Sequence, residues 1–158
     1  MLFGMSDYRR LRIPGGCYFF TVNLEDRRSD LLVRNVDALR EAVRSVRRAR
    51  PFRIDAFVVL PDHLHAVWTL PDGDEDFPTR WRLIKKAFSR RLPAGEPRSP
   101  SRRRRGEREI WQRRYWEHAI RDERDFAAHV DYVHINPVKH GLAETPSDWP
   151  YSTVHRQA

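Results

Sequence analysis

The sequence predicts an α+β domain, with a mostly antiparallel sheet and helices packed on one face. Three observations predict it. Runs rich in aromatic and β-branched residues occur at 15–24, 52–60 and 64–70. Apolar residues recur at helical spacing in the stretches between and after them. The resulting order is strand, helix, two strands, helix, loop, helix.

The first strand, "GGCYFFTVNL" (15–24), follows a glycine pair. From Val36 to Arg50, Val36, Leu39, Val43 and Val46 form an apolar stripe, with Arg40, Arg44, Arg47 and Arg48 between them. Pro51 closes that helix. "FRIDAFVVL" (52–60) and "LHAVWTL" (64–70) flank a short turn at "PDH", so the two should pair as a hairpin. After the acidic loop "PDGDED" (71–76), Phe77, Trp81, Ile84 and Phe88 mark the next helix. Residues 93–109 are rich in proline and arginine and read as a flexible loop. A short segment (110–120) leads to the last helix. Asp122 caps it with Asp125 three residues on, and it runs to about Asn136, where Pro137 discourages continuation.

At 158 residues the chain suits a single domain, 1–158, with a real core. No apolar run approaches the ~20 residues that span a bilayer. The opening "MLFGMSDYRR" is too short and too soon charged for a secretory signal, and Met5 is a second candidate initiator. A cytoplasmic location is the expectation. The lone Cys17 excludes an intramolecular disulfide framework and a multi-cysteine zinc site.

The formal net charge is +8, and Lys85, Lys86 and Lys139 are the only lysines. Arginine therefore carries nearly all the surplus, and its planar fork grips phosphate with two hydrogen bonds. The balance favours a polyanion, although a solvated surface explains it too. Arg80, Arg82, Lys85 and Lys86 make one helix positive and can track a nucleic-acid backbone. Arg102, Arg103, Arg104 and Arg105 offer a second basic run, equally readable as solvated linker. Trp81 or Trp111 could stack on an unpaired base, with Trp81 fitting the core better.

In "VVLPDHLHAVWTL" (58–70), His63 and His65 project to one side of a strand while Leu64 points into the core. Two imidazoles about 7 Å apart at Cβ can converge on one divalent cation or on one phosphate. They can equally be unrelated polar residues on a half-exposed strand. In "DFAAHVDYVHINPVKHG", Phe126, Val130 and Val133 face the sheet at ~100° per residue. Tyr132 and Asn136 are one turn apart on the border of that stripe, and His134 points away from Tyr132.

These motifs carry a resemblance. "HLH" followed by a helical tyrosine resembles the HUH single-strand DNA endonucleases and transposases. "VVLPDHLHAVWTLP", "WQRRYWEHAIRDERDF" and "HVDYVHINPVKHGL" resemble the REP-associated tyrosine transposases within them. The resemblance implies a ferredoxin-like sheet of HUH endonuclease type. It implies His63, His65 and Asn136 as ligands of Mg²⁺ or Mn²⁺, and Tyr132 as the nucleophile. Tyr115 lies outside the motif and serves packing. The implied reaction is metal-dependent cleavage and rejoining of single-stranded DNA at REP-type hairpins through a 5′-phosphotyrosine. A monomer is the expectation, with a swapped dimer as the alternative form. Three other readings compete: a hairpin-binding protein of this fold without catalysis, an RNA phosphoesterase drawing on His118 or His129, and a structural zinc site at His63 and His65.

Overall fold

The alternation in β1 (Cys17–Asn23) sets up two cores, because Tyr18, Phe20 and Val22 leave one side of the strand and Phe19 and Thr21 the other. A computed structural model describes residues 12–93, 95, 99–105 and 108–157. Residues 1–11, with Met5, and the side chains of Arg102, Arg103 and Arg105 lie outside that description. Following β1 are α1 (Leu31–Arg34), α2 (Val36–Ala49), β2 (Arg53–Val59), β3 (His63–Thr69) and α3 (Phe77–Arg90). Then come α4 (Pro100–Arg105), β4 (Trp116–Ala119) and α5 (Glu123–Lys139). The sheet order is β2-β3-β1-β4, and every neighbouring pair is antiparallel.

This is the ferredoxin-like order, built from β1-α2-β2-β3-α3-β4. Helices α2 and α3 pack on one face, as the sequence predicts. Val36, Leu39, Val43 and Val46 of α2 are buried there, with Phe77, Trp81, Ile84 and Phe88 of α3. Trp81 stacks on Trp68 with ring centroids 4.2 Å apart. The expectation of a single helical face stops at α5, which lies on the opposite face. Val130 and Val133 of α5 close a second, smaller core with Phe19, Val58, Leu60 and Val67. Strand β3 is thus covered on both faces and buried through Trp68. That accounts for its nearly unbroken apolar character.

Strand ends shift by one or two residues and α1 is added, and three segments after α3 differ further from the sequence reading. Segment 110–120 contains the edge strand β4, too short at four residues to show a pattern. The stretch 93–109 holds α4, where a loop was expected. Helix α5 continues through Pro137 to Lys139, because proline so near the end costs a single backbone bond. Gly141 at φ +71° then reverses the chain, and Leu142 N–H donates to the Pro137 carbonyl. The N-terminal cap is as predicted, with Asp122 accepting from Asp125 N–H. Asp125 does not reciprocate as in a capping box. Its carboxylate accepts from Arg121 N–H and contacts His118.

Arg80 corrects the expectation of a DNA-contacting residue. It is only 2% exposed, and all five guanidinium N–H groups are engaged. They donate to both Asp74 carboxylate oxygens and to the carbonyls of Arg50, Pro51 and Asp76. Arg80 therefore ties the acidic loop to the end of α2. Lys85 is likewise engaged, donating to the Gln112 carbonyl beside the Tyr115 ring. Arg82 and Lys86 are exposed on α3, on the sheet face opposite the histidine pair. Arg104 is exposed on α4.

Candidate active site

Burial forces His63 and His65 into hydrogen-bonded arrangements. They are 5% and 4% exposed, and their rings sit 4.9 Å apart, edge to face. His63 Nδ1 is 2.8 Å from Asp62 Oδ1, and His65 Nδ1 is 2.7 Å from Thr21 Oγ1. Each ring is thereby oriented by its Nδ1, which directs Nε2 away from the partner. A histidine that holds a metal is normally fixed this way by a second group. Burial lowers the pKa of both histidines. For His65, burial and then the neighbouring His63 push it down to about 3. Both are neutral at pH 7, the form that ligates a cation.

Helix α5 brings the remaining groups. The Tyr132 ring lies 5.3 Å from the His65 ring and 5.8 Å from Phe19. Asn136, one turn on, is fully buried. Two buried polar atoms at this junction have no hydrogen-bond partner, His65 Nε2 and Asn136 Oδ1. Leaving such atoms bare costs about 1–3 kcal/mol each. A divalent cation would accept both, so this donor set of two imidazoles and an amide oxygen fits one.

Lys139 was not singled out from the sequence. Its Nζ donates to Tyr132 Oη at 3.3 Å and lies 4.9 Å from the ring centroid. The signal was present as the spacing i, i+4, i+7 of Tyr132, Asn136 and Lys139 along one helix face. Asp62 and Thr21 were also missed, since only strand register places Thr21 opposite His65. His140 approaches His63, with ring centroids 5.3 Å apart.

The other aromatic and histidine candidates fall elsewhere. Tyr115 packs in the opposite core against Phe20, Phe77 and Trp81. Trp81 and Trp111 are buried and cannot receive a base. His134 faces away and pairs with Thr153 Oγ1 at 2.9 Å. His118, Asp125 and His129 form a second cluster, their ligand atoms within 4.8 Å of one another. His118 Nε2 and His129 Nδ1 lie 2.8 and 3.1 Å from the Asp125 carboxylate. These groups satisfy each other, whereas His65 Nε2 and Asn136 Oδ1 have no hydrogen-bond partner. Sequence could not join the cluster, because the contact depends on β4.

A buried histidine pair on β3 thus meets a tyrosine delivered by a separate helix, α5. A REP-associated tyrosine transposase from Escherichia coli (strain K12) is 53% identical over 152 residues, covering 96% of this chain and 84% of the relative. The chain belongs to the REP-associated tyrosine transposase family. A Haemophilus influenzae protein named for the same family is 45% identical over 154 residues, covering 96% of this chain and 87% of its own. A solved structure described as a REP-associated tyrosine transposase bound to a REP hairpin superimposes with a TM-score of 0.82. It is 53% identical and covers 96% of this chain and 84% of that one. No family model matches the chain. The chain shares the fold of that structure, an α+β domain with an antiparallel sheet. No helix among the described residues is long and apolar enough to cross a membrane.

Proposed function

We propose that this transposase cleaves and rejoins single-stranded DNA at REP-type hairpins, using Tyr132 as nucleophile and a divalent cation held by His63, His65 and Asn136. The observation that carries it is the approach of Tyr132 to His65 within one chain, with Lys139 on the phenol oxygen. Family membership supplies the transposase activity, and the relative bound to a REP hairpin supports the substrate.

Tyr132 Oη attacks the phosphorus, forming a Tyr–O–P bond while the P–O3′ bond breaks. The phenol proton passes to solvent and the departing 3′ oxygen takes one from solvent, so the products are a 5′-phosphotyrosine and a free 3′-hydroxyl. The reverse attack by a 3′-hydroxyl rejoins DNA without ATP, because the diester bond is conserved. Lys139 sets a positive charge against the phenolate. Thr21 and Asp62 hold the imidazoles in orientation. Bound at the three ligands, a cation would polarise the phosphate as a Lewis acid. Mg²⁺ and Mn²⁺ are the candidates, and two nitrogen donors favour Mn²⁺. One chain assembles every named group, so a monomer suffices, without a swapped partner.

Incubating wild-type protein with an end-labelled REP hairpin and Mn²⁺ should yield a covalent adduct on a denaturing gel. Tyr132→Phe should give none while binding the hairpin within about threefold of wild type, a difference of ~0.7 kcal/mol or less. Tight binding by wild type with no adduct would instead establish the non-catalytic hairpin binder.

A further inference from the structure

We propose that the cleft between β4 and α5 receives one unpaired nucleobase of the DNA strand, stacked on the indole of Trp116, beside the phosphate that Tyr132 attacks. This rests on the strand-cleavage reading above. Trp116 is 55% exposed, more than any other large hydrophobic residue exposed among the described residues. Register explains its place. Trp116 pairs with Thr21 across β4 and β1, and Thr21 pairs with His65 across β1 and β3. The three side chains form one row on the face that carries α5. Two strand spacings put the Trp116 backbone about 10 Å from that of His65. A nucleotide adjoining a phosphate at the histidine pair reaches that distance.

The cleft itself has a volume of about 380 Å³ and is lined by Phe19, Thr21, Trp116, Ala128, His129 and Tyr132. Tyr132 is thus a wall of both this cleft and the nucleophilic site. A strand that presents a phosphate to Tyr132 has the cleft within reach of its neighbouring base. The walls are largely aromatic, as suits the π-face of a base. His129 holds Asp125 through Nδ1, which leaves Nε2 as its remaining hydrogen-bonding group for a base edge. The buried Trp81 and Trp111 cannot perform this stacking.

The test measures binding and cleavage separately. The probe is a fluorescein-labelled REP hairpin with single-stranded flanks, together with copies that each lack one flanking base. Trp116→Ala should weaken binding about tenfold, in the range measured for base–aromatic stacking, and Trp116→Phe should restore most of it. One abasic copy should bind wild type about tenfold less tightly yet bind Trp116→Ala no worse than the intact probe does. In adduct formation, Trp116→Ala should raise KM with kcat little changed. The proposal is overturned if Trp116→Ala binds as wild type does, or if every abasic loss adds in full to that of the variant. A wild-type protein that binds the probe but forms no adduct fails the cleavage reading, while the binding cycle still decides the stacking.

Discussion

At the scale of single residues, the site depends on which polar atoms burial leaves bare. His65 Nε2 and Asn136 Oδ1 are buried without partners, while the Nδ1 of each histidine is already held. Asn136→Ala removes one bare acceptor and one proposed ligand together. Its Mn²⁺ affinity, measured by titration calorimetry, should fall at least about tenfold, or ~1.4 kcal/mol. Asp125 offers a pH test away from that site. Burial alone would raise its pKa, but the Arg121 N–H and His118 outweigh this and hold it down at about 2. A depressed carboxyl stabilises the fold above its unfolded pKa of ~3.9, and this contribution is lost as pH falls through the folded value. Asp125→Asn should therefore cost about 1–2 kcal/mol at pH 7, from lost charge-assisted hydrogen bonds. The gap to wild type should close between about pH 4 and pH 2, as read by urea melts.

At the scale of elements, α3 and α5 take opposite roles. Helix α3 looks basic in sequence, yet Arg80 and Lys85 are engaged within the protein. Arg80→Met should destabilise by about 3 kcal/mol, because the Asp74 carboxylate and three backbone carbonyls lose their donors. Hairpin affinity of the folded variant should be unchanged. A selective loss of affinity with normal stability would return Arg80 to the DNA surface. Helix α5 uses Val130 and Val133 to dock on the second sheet face, and this presents Tyr132, Asn136 and Lys139 to β3. Its apolar stripe was legible from periodicity. Strand β4 was not, because four residues at an edge are held by pairing with β1 rather than by any pattern of their own.

At the scale of the whole molecule, the proposed cation bridges β3 in the central sheet and α5 outside it. Its binding therefore joins the added helix to the ferredoxin-like core. Mn²⁺ at one hundred times its dissociation constant should stabilise the protein by about 2.7 kcal/mol. EDTA should reverse the shift, and His63→Ala with His65→Ala should abolish it, as followed by thermal melting. The net charge of +8 adds a general prediction. Hairpin affinity should fall steeply with salt, linearly on logarithmic axes.

The sequence by itself determined the α+β class, the two amphipathic helices of the main core, the β2–β3 hairpin and the cap of α5. Each follows from local periodicity or turn chemistry, which needs no distant contact. It also marked His63, His65, Tyr132 and Asn136, through same-face spacing on a strand and on a helix, together with resemblance. Only the tertiary structure decided that α5 covers the opposite sheet face, that Arg80 is a buried tie, and that Lys139, Thr21 and Asp62 attend the site. Those facts arise from pairings between residues far apart in the chain. Burial, register and the choice of sheet face are settled when the elements pack, and no single segment encodes them.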